Sequence, residues 1–269
     1  MSRSLRAGTG VFNREAGFAL PPFLMGNRMS ESENRIALAH EDMCRYIAAC
    51  YYQPEPAFAE EGVFITLLNA AALVHLDLVP YAEKLGEEFN RTATEDLLLD
   101  YTRLFLGPSH ILAKPYGSVW LEGEKTLMGD TTMAILDLYR EGGFEMDEEF
   151  RELPDHVAVE LEFLYLLIFR QNEARLNGDM DRLNVVTDLK RRFLAVHLGR
   201  WIGPFTEAVK GGAESVFYRQ LAELTKLFVR METNKEGVDC ALSLVEGGAD
   251  EIALSGACRE PLLNRFPFK

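Results

Sequence analysis

The sequence contains few cysteines and no long apolar run. Cys44, Cys50, Cys240 and Cys258 form no CxxC pair, and their spacings do not suggest a zinc site. Because Cys44 and Cys50 fall within a helical pattern, they are predicted to be small core residues in a reducing compartment. No stretch of about 18 apolar residues exists, so no membrane-spanning segment is predicted.

Positively charged residues are also scarce. The 269 residues include 42 Asp and Glu but only 28 Lys and Arg, which gives a formal charge of −14. Nucleic-acid binding depends on Lys and Arg that neutralise phosphates, so this class of partner is not expected. The negative charge would attract a basic peptide, but by itself it is more typical of a cytosolic protein that only needs to stay in solution.

Signatures of nucleotide binding and catalysis are absent. There is no Gly-x-Gly-x-x-Gly, no P-loop and no recognisable nucleophile elbow. The five histidines show no HxxxH or HExxH spacing, so neither a metal nor a cofactor is predicted. The chain is therefore not expected to be an enzyme, although a metal-assisted hydrolase that uses Asp155, His156 and Glu160 is one alternative.

Apolar residues recur at three-to-four spacing along most of the chain, which predicts an all-α protein. Ser30 and Ser32 are candidate caps of the first helix. Pro80 is expected to end the second helix, and Gly203 and Pro204 are expected to form a turn before a short helix. The predicted helices cover residues 30–52, 58–78, 81–89, 95–106, 124–141, 154–176, 179–201, 204–209 and 213–232.

An acidic link between two groups of helices indicates a boundary. Such a run is usually a solvated linker, but here it can also attract a basic peptide toward the residues that follow it. The predicted division is a mobile N-terminal extension (1–30), an N-terminal helical lobe (31–144), the acidic link and hinge (145–156), a C-terminal helical lobe (157–235) and an acidic tail (236–269).

Pro154, Asp155 and His156 are predicted to begin a long apolar helix. Proline tolerates the first helical turn, and the Asp155 carboxylate can accept hydrogen bonds from the N–H groups there. His156 and Glu160 stand four residues apart, on one face of that helix. Two interpretations remain open, a capped helix with an ordinary ion pair or a polar patch that recognises a guanidinium or an amide.

Residues 114–120 place Tyr116 and Trp120 on a stretch of chain that is predicted to be irregular and exposed. Aromatic side chains in such a position can form an apolar groove for a peptide. They can equally pin the loop to the core. The sequence favours neither interpretation over the other.

A series of short patterns follows one another between residues 36 and 232. They are Tyr101-x-Arg103-Leu104-Phe105-x-Gly107-Pro108, Pro115-x-x-Ser118-x-Trp120-Leu121, Gly129, Pro154-Asp155-His156-x-x-x-Glu160-Leu161-x-Phe163-Leu164, Phe193-Leu194-x-x-His197-Leu198-x-x-Trp201, Phe217-Tyr218 and Leu224-x-x-Phe228. This ordered set resembles the TorD-like family of chaperones, which mature molybdenum-containing redox enzymes. One departure is Leu153, where the family often has Glu, so Glu152 or the acidic link would have to replace that acid.

The resemblance implies a two-lobed helical bundle with a hinge near Pro154-Asp155-His156. It implies a cytoplasmic chaperone that binds the twin-arginine leader or the apo form of a molybdopterin-containing oxidoreductase and assists cofactor insertion before export. An assembly factor that binds the enzyme body without recognising the leader is an alternative. Stable membrane insertion is not implied, and a homodimer formed by lobe exchange is one oligomeric state that the family uses. The peptide-binding residues that the resemblance implies are Ser118, Trp120, Pro154, Asp155, His156 and Glu160.

Overall fold

The computed structural model describes residues 30–107, 111–123, 129–146 and 152–238, and these residues form helices and connecting turns without a β-strand. The predicted all-α class is therefore confirmed. In chain order the helices are α1 (Glu31–Ala49), α2 (Ala57–Glu60), α3 (Val63–Val74), α4 (Val79–Arg91), α5 (Thr94–Tyr101), α6 (Gly117–Leu121), α7 (Asp130–Glu141), α8 (Val157–Asn177), α9 (Met180–Val196), α10 (Leu198–Gly212) and α11 (Val216–Val238).

Several helix ends follow directly from the residue types there. Ser30 caps α1 in a capping box, in which its side chain accepts from the Glu33 amide and the Glu33 side chain accepts from the Ser30 amide. Gly178 ends α8 with a φ of 68°, a left-handed conformation that glycine adopts without steric cost. Asp179 then caps α9 by accepting from the amide of Arg182 at 3.0 Å.

The helices enclose one continuous core. α1 packs along α8 and α3, α11 packs along α10 and α4, and α9 packs against α8 and α10. The buried apolar residues of these helices form a single cluster. Helices on both sides of residues 145–156 thus contribute to the same core, while the predicted division into lobes with a hinge and the predicted homodimer stay predictions.

The second predicted helix is interrupted. Gly62, with a φ of 68°, separates α2 from α3, and a 3₁₀ turn at Leu76–Leu78 follows. Pro80 lies in the first turn of α4 and does not end the preceding helix, as the sequence had suggested. The first turn accepts proline because an N–H group there has no partner within the helix.

The expected turn at Gly203 and Pro204 is also wrong. The break occurs earlier, at His197, whose φ of −123° and ψ of −106° separate α9 from α10. Pro204 lies inside α10, where it removes one backbone hydrogen bond. Packing of the apolar face of α10 against α11 and α9 holds this helix together across the proline.

Three of the predicted segments lie partly or mainly outside the described residues. They are the N-terminal extension up to residue 29, residues 147–151 of the acidic link and the tail from residue 239. Among the helices that the structure describes, none is long and apolar enough to cross a membrane.

Candidate functional site

The corner before α8 pairs with the chain segment before α6. The amide of Gly117 donates to the carbonyl of Asp155, and the amide of Val157 donates to the carbonyl of Pro115, both at 2.8 Å. These two hydrogen bonds form a short antiparallel bridge. Two segments about forty residues apart are thereby joined through their backbones.

The imidazole of His156 caps α8. Its Nδ1 accepts from the amide of Ala158 at 3.2 Å. Pro154 and Asp155 precede the helix, so the expectation that proline occupies its first turn is wrong. The carbonyl of Pro154 accepts from the hydroxyl of Tyr139 in α7 at 2.7 Å, which fixes the corner from a third direction.

The carboxylate of Asp155 caps a different helix from the one the sequence suggested. Its Oδ2 accepts from the amide of Ser118 at 2.8 Å, in the first turn of α6. The N-cap residue of α6, Tyr116, provides no side-chain hydrogen bond of its own. Asp155 therefore supplies the acceptor that α6 lacks.

Glu160 lies one turn into α8 and is fully buried. Its Oε2 accepts from the indole Nε1 of Trp201 in α10 at 3.1 Å. Burial raises the pKa of Glu160 well above its usual value, and the Asp155 carboxylate adds to the rise, while the hydrogen bond from Trp201 opposes it. The folded protein therefore favours the protonated form of this side chain more than the unfolded chain does.

Five buried polar atoms near the corner have no hydrogen-bond partner among the described residues. They are Ser118 Oγ, Asp155 Oδ1, Glu160 Oε1, Glu162 Oε2 and His197 Nδ1. Burial lowers the pKa of His197 to about 4, and the charge of Asp155 partly offsets that effect. The corner is therefore a polar cluster with unused hydrogen-bonding capacity, which is costly in a protein interior.

A second buried carboxyl group lies beside the corner. Glu162 accepts from the hydroxyl of Tyr52 at 2.9 Å, and burial raises its pKa to about 8 against the effect of that hydrogen bond. The Tyr52 ring stacks on His156 with centroids 6.2 Å apart, and the Tyr116 ring contacts the same imidazole edge-on with centroids 5.5 Å apart. Burial lowers the pKa of His156 to about 3, so this imidazole is neutral.

The segment predicted to be an exposed, irregular loop is shorter and more buried than expected. Residues 117–121 form α6, and Ser118 has no exposed surface. Trp120 is half-buried, with its Nε1 donating to the carbonyl of Lys114 at 2.8 Å and its ring packed edge-on against Phe205. The aromatic side chain thus pins this segment to the core, as one of the two interpretations predicted.

The structure brings five of the six predicted peptide-binding residues into one place and buries all five. Pro154, Asp155 and His156 form the corner, Glu160 follows one turn later, and Ser118 joins them from α6. Only Trp120, at the edge, reaches solvent. A peptide could touch the buried members only after α6 moves away from the corner, and their role in binding stays a prediction.

Sequence reasoning missed four residues as members of this cluster. Trp201 and His197 were noted in the ordered patterns but not as site residues, and Tyr52 was not noted. Glu162 was missed as well, although a second acidic residue within the apolar run of α8 is a usable signal. In the part of the chain that the structure describes, no group of three His, Cys, Asp or Glu side chains could hold a metal ion.

This chain is similar to several known proteins. The family model described as the nitrate reductase delta subunit matches residues 68–207. The chaperone protein TorD of Vibrio parahaemolyticus is 31% identical over 162 residues, which cover 58% of this chain and 74% of that protein. The Tat proofreading chaperone DmsD of Salmonella typhimurium is 32% identical over 139 residues, 52% of this chain and 61% of that protein.

A solved structure is similar at a lower level. It is the crystal structure of a putative redox enzyme maturation protein from Archaeoglobus fulgidus, with 20% sequence identity and a TM-score of 0.45. The alignment covers 71% of this chain and 93% of that chain.

Proposed function

Because the chain belongs to the nitrate reductase delta subunit family, whose TorD and DmsD relatives are chaperones, we propose that it is a maturation chaperone for a molybdenum-containing oxidoreductase. The observation that carries this proposal is the similarity to relatives named as chaperones, and the same names confirm the prediction that the chain is not an enzyme. The TorD-like resemblance is confirmed with it. We place its action in the cytoplasm, before export of the client.

The polar cluster at the corner supports leader binding as the finer proposal. The Asp155 carboxylate has an oxygen without a partner among the described residues, and carboxylates are the natural acceptors for the guanidinium of arginine. Glu160, whose protonated form is favoured by burial, adds a second oxygen without a partner among those residues. The charge of −14 would draw a basic leader toward the protein. Entry of a guanidinium would satisfy acceptors that are otherwise buried without a hydrogen bond.

The burial of the same residues favours a second candidate function. Five of the six predicted peptide-binding residues are inaccessible in the described structure, so a chaperone that binds only the folded body of its client would not need them. Binding to a client with its leader deleted separates the two candidates. Equal affinity with and without the leader favours the assembly factor, whereas loss of affinity favours the leader-binding chaperone.

The experiment that tests leader binding uses a synthetic twin-arginine leader of a molybdenum enzyme from the same host. Titration calorimetry compares this peptide with a version in which both arginines are lysine, at low and high salt. We expect the arginine peptide to bind more tightly, because lysine lacks the bidentate geometry. Both affinities should fall as salt screens the charges.

Two matched variants complete the test. Asp155→Asn removes the negative charge at the corner but keeps an acceptor for Ser118, and it should weaken binding of the arginine peptide about tenfold or more. Asp181→Asn removes the same charge from an exposed position on α9 and should have little effect. Equal affinity of the two variants would remove the corner from the proposed site, and failure of the arginine peptide to bind would contradict leader recognition.

A further inference from the structure

A second pocket lies away from the corner, between α1, α8, α9 and α11. Its volume is ≈ 270 Å³, slightly below the usual range of small-molecule sites, and it is open to solvent on one side. The apolar part of its wall consists of Ile36, Ala37 and Ile168. Polar and charged side chains form the rest of the wall, so the pocket is amphipathic.

The floor of the pocket is a buried ion network. Lys190 donates to Glu232 Oε2 at 2.6 Å, and His40 Nδ1 lies 2.5 Å from Glu232 Oε1. Burial acts to raise the pKa of Glu232, but the charge of Lys190 and the hydrogen bond from His40 outweigh it and hold that pKa below its usual value. Both oxygens of this carboxylate are therefore engaged, and Glu232 is neutralised by its own neighbours.

Arg175 stands at the same pocket without a carboxylate partner. Its only hydrogen bond to a described residue runs from Nη1 to Asn172 Oδ1 at 3.1 Å, and no described carboxylate forms an ion pair with it. Asn172 is itself buried and donates to Glu41 Oε1 at 2.8 Å and to the carbonyl of Ala37 at 3.1 Å. The guanidinium is thus oriented by a fixed amide while its remaining N–H groups are available.

The lining carries charges of both signs. Arg175, Lys190 and Lys235 contribute three cations, whereas Glu33 and Glu232 contribute two carboxylates. Glu33 is turned toward the amide of the helix cap, where it completes the capping box. Lys190 and Glu232 offset each other, so Arg175, whose guanidinium has no carboxylate partner among the described residues, is the group of the lining that favours an anion.

We propose that this pocket binds a small organic anion, namely a carboxylate on a short aliphatic chain, with Arg175 as the residue that recognises the carboxylate. The planar guanidinium matches a carboxylate in a bidentate pair. The aliphatic chain would lie on Ile36 and Ile168, where its burial adds to the affinity. The volume excludes larger cofactors. This site does not depend on the chaperone function or on the corner.

The test is titration of the full chain with hexanoate, hexylamine and inorganic phosphate, followed by NMR shifts and by calorimetry. Hexanoate should bind saturably, hexylamine should not bind, and phosphate should bind more weakly because it lacks the apolar part. Arg175→Gln should raise the Kd for hexanoate about tenfold or more. Arg182→Gln is the matched control, because Arg182 is paired with Glu173 at 3.0 Å outside the pocket and should leave the Kd unchanged.

Ile36→Glu gives a second variant that keeps the core intact, since Ile36 is 41% exposed. A carboxylate at this wall should repel hexanoate and raise its Kd while the unfolding temperature stays close to that of the wild type. The proposal is overturned if hexanoate fails to saturate below about 10 mM, if phosphate binds as tightly as hexanoate, or if Arg175→Gln and Arg182→Gln behave alike.

Discussion

Glu160 and Glu162 are carboxyl groups buried two residues apart in α8, and burial raises the pKa of both. Each favours the protonated state in the folded protein. The nearby imidazoles of His156 and His197 have pKa values lowered by burial to about 3 and about 4. At the scale of single residues, the corner is thus kept largely neutral by its surroundings.

We predict that the free energy of unfolding falls less steeply with rising pH in Glu162→Gln than in the wild type. The pKa of Glu162 is 4.5 in the unfolded chain and about 8 in the folded protein, so the native state holds the extra proton between these values. Its stabilising contribution is complete below pH 4.5 and is lost as pH rises toward 8. The difference in the free energy of unfolding between wild type and variant should change by up to about 1.4 kcal/mol per pH unit in this window.

Urea unfolding at a series of pH values measures this effect. Glu60→Gln, at an exposed position on α2, controls for the removal of one negative charge. The two histidines contribute in the opposite direction, because their lowered pKa values cost stability as pH falls below 6.5. They are present in all the proteins compared and cancel from the difference. Parallel profiles for wild type and Glu162→Gln would contradict the burial of this carboxyl.

The sequence identified most residues of the corner but not their partners. Helix-start chemistry drew attention to the segment that contains Asp155, His156 and Glu160, but their selection as site residues came from the TorD-like resemblance. The acceptor role of Asp155 toward Ser118 and the bond between Glu160 and Trp201 join segments about forty residues apart. Such contacts are set by tertiary packing and leave no periodic signal in the sequence.

At the scale of secondary structure, α6 is the element that closes the corner. Its start fits closely against α8 and α10, since a Cβ on Gly117 would lie 2.9 Å from Trp201 Nε1 and 3.0 Å from Glu160 Oε1. Only glycine allows this approach without displacement of a buried side chain. The fit of α6 therefore depends on the absence of a single methyl group.

We predict that Gly117→Ala destabilises the protein by about 1–3 kcal/mol, the usual cost of overpacking. The indole and the carboxyl group would have to move apart, which weakens their hydrogen bond. Unfolding in urea gives the free energy, and Trp fluorescence reports the displacement of Trp201. Gly211→Ala is the matched control, because a Cβ at Gly211 in α10 meets nothing within 4 Å, and this variant should be neutral or slightly stabilised. Equal effects of both changes would rule out the close contact.

Helix positions were predictable where capping and apolar spacing agree, and unpredictable where packing overrides local preference. Ser30 and Gly178 mark their helix ends as expected. Pro204 does not end a helix, because the apolar face of α10 is buried on both sides of it. The short α6 lies in a segment with Pro115 and Gly117, which local rules assign to a loop.

At the scale of the whole molecule, the pair of Lys190 and Glu232 joins α9 to α11, and His40 connects both to α1. Lys190 and Glu232 are almost completely buried. A buried ion pair is weak evidence for net stabilisation, but the loss of one partner leaves an uncompensated charge. An arrangement in which α9 or α11 moves away from the other would therefore leave a buried charge without its partner.

We predict that Lys190→Met costs about 3–5 kcal/mol, and that Lys190→Met combined with Glu232→Leu recovers most of this loss. The single variant leaves the buried carboxylate of Glu232 without its ion-pair partner, although His40 and the charge of Lys235 still act on it, whereas the double variant removes both charges. Chemical unfolding of the two variants provides the comparison. A double variant as unstable as the single one would show that the cost comes from packing and not from the unpaired charge.

The closed corner also limits how fast a peptide can bind in its interior. Three segments hold it through Asp155, Tyr139 and Trp201, so it must open before a guest can reach Glu160. For a peptide that binds there, the observed association rate should rise with peptide concentration and then level off at the opening rate. In Gly117→Ala, where α6 fits less well, that plateau should be higher, so stopped-flow mixing would show a less stable protein that admits its guest sooner.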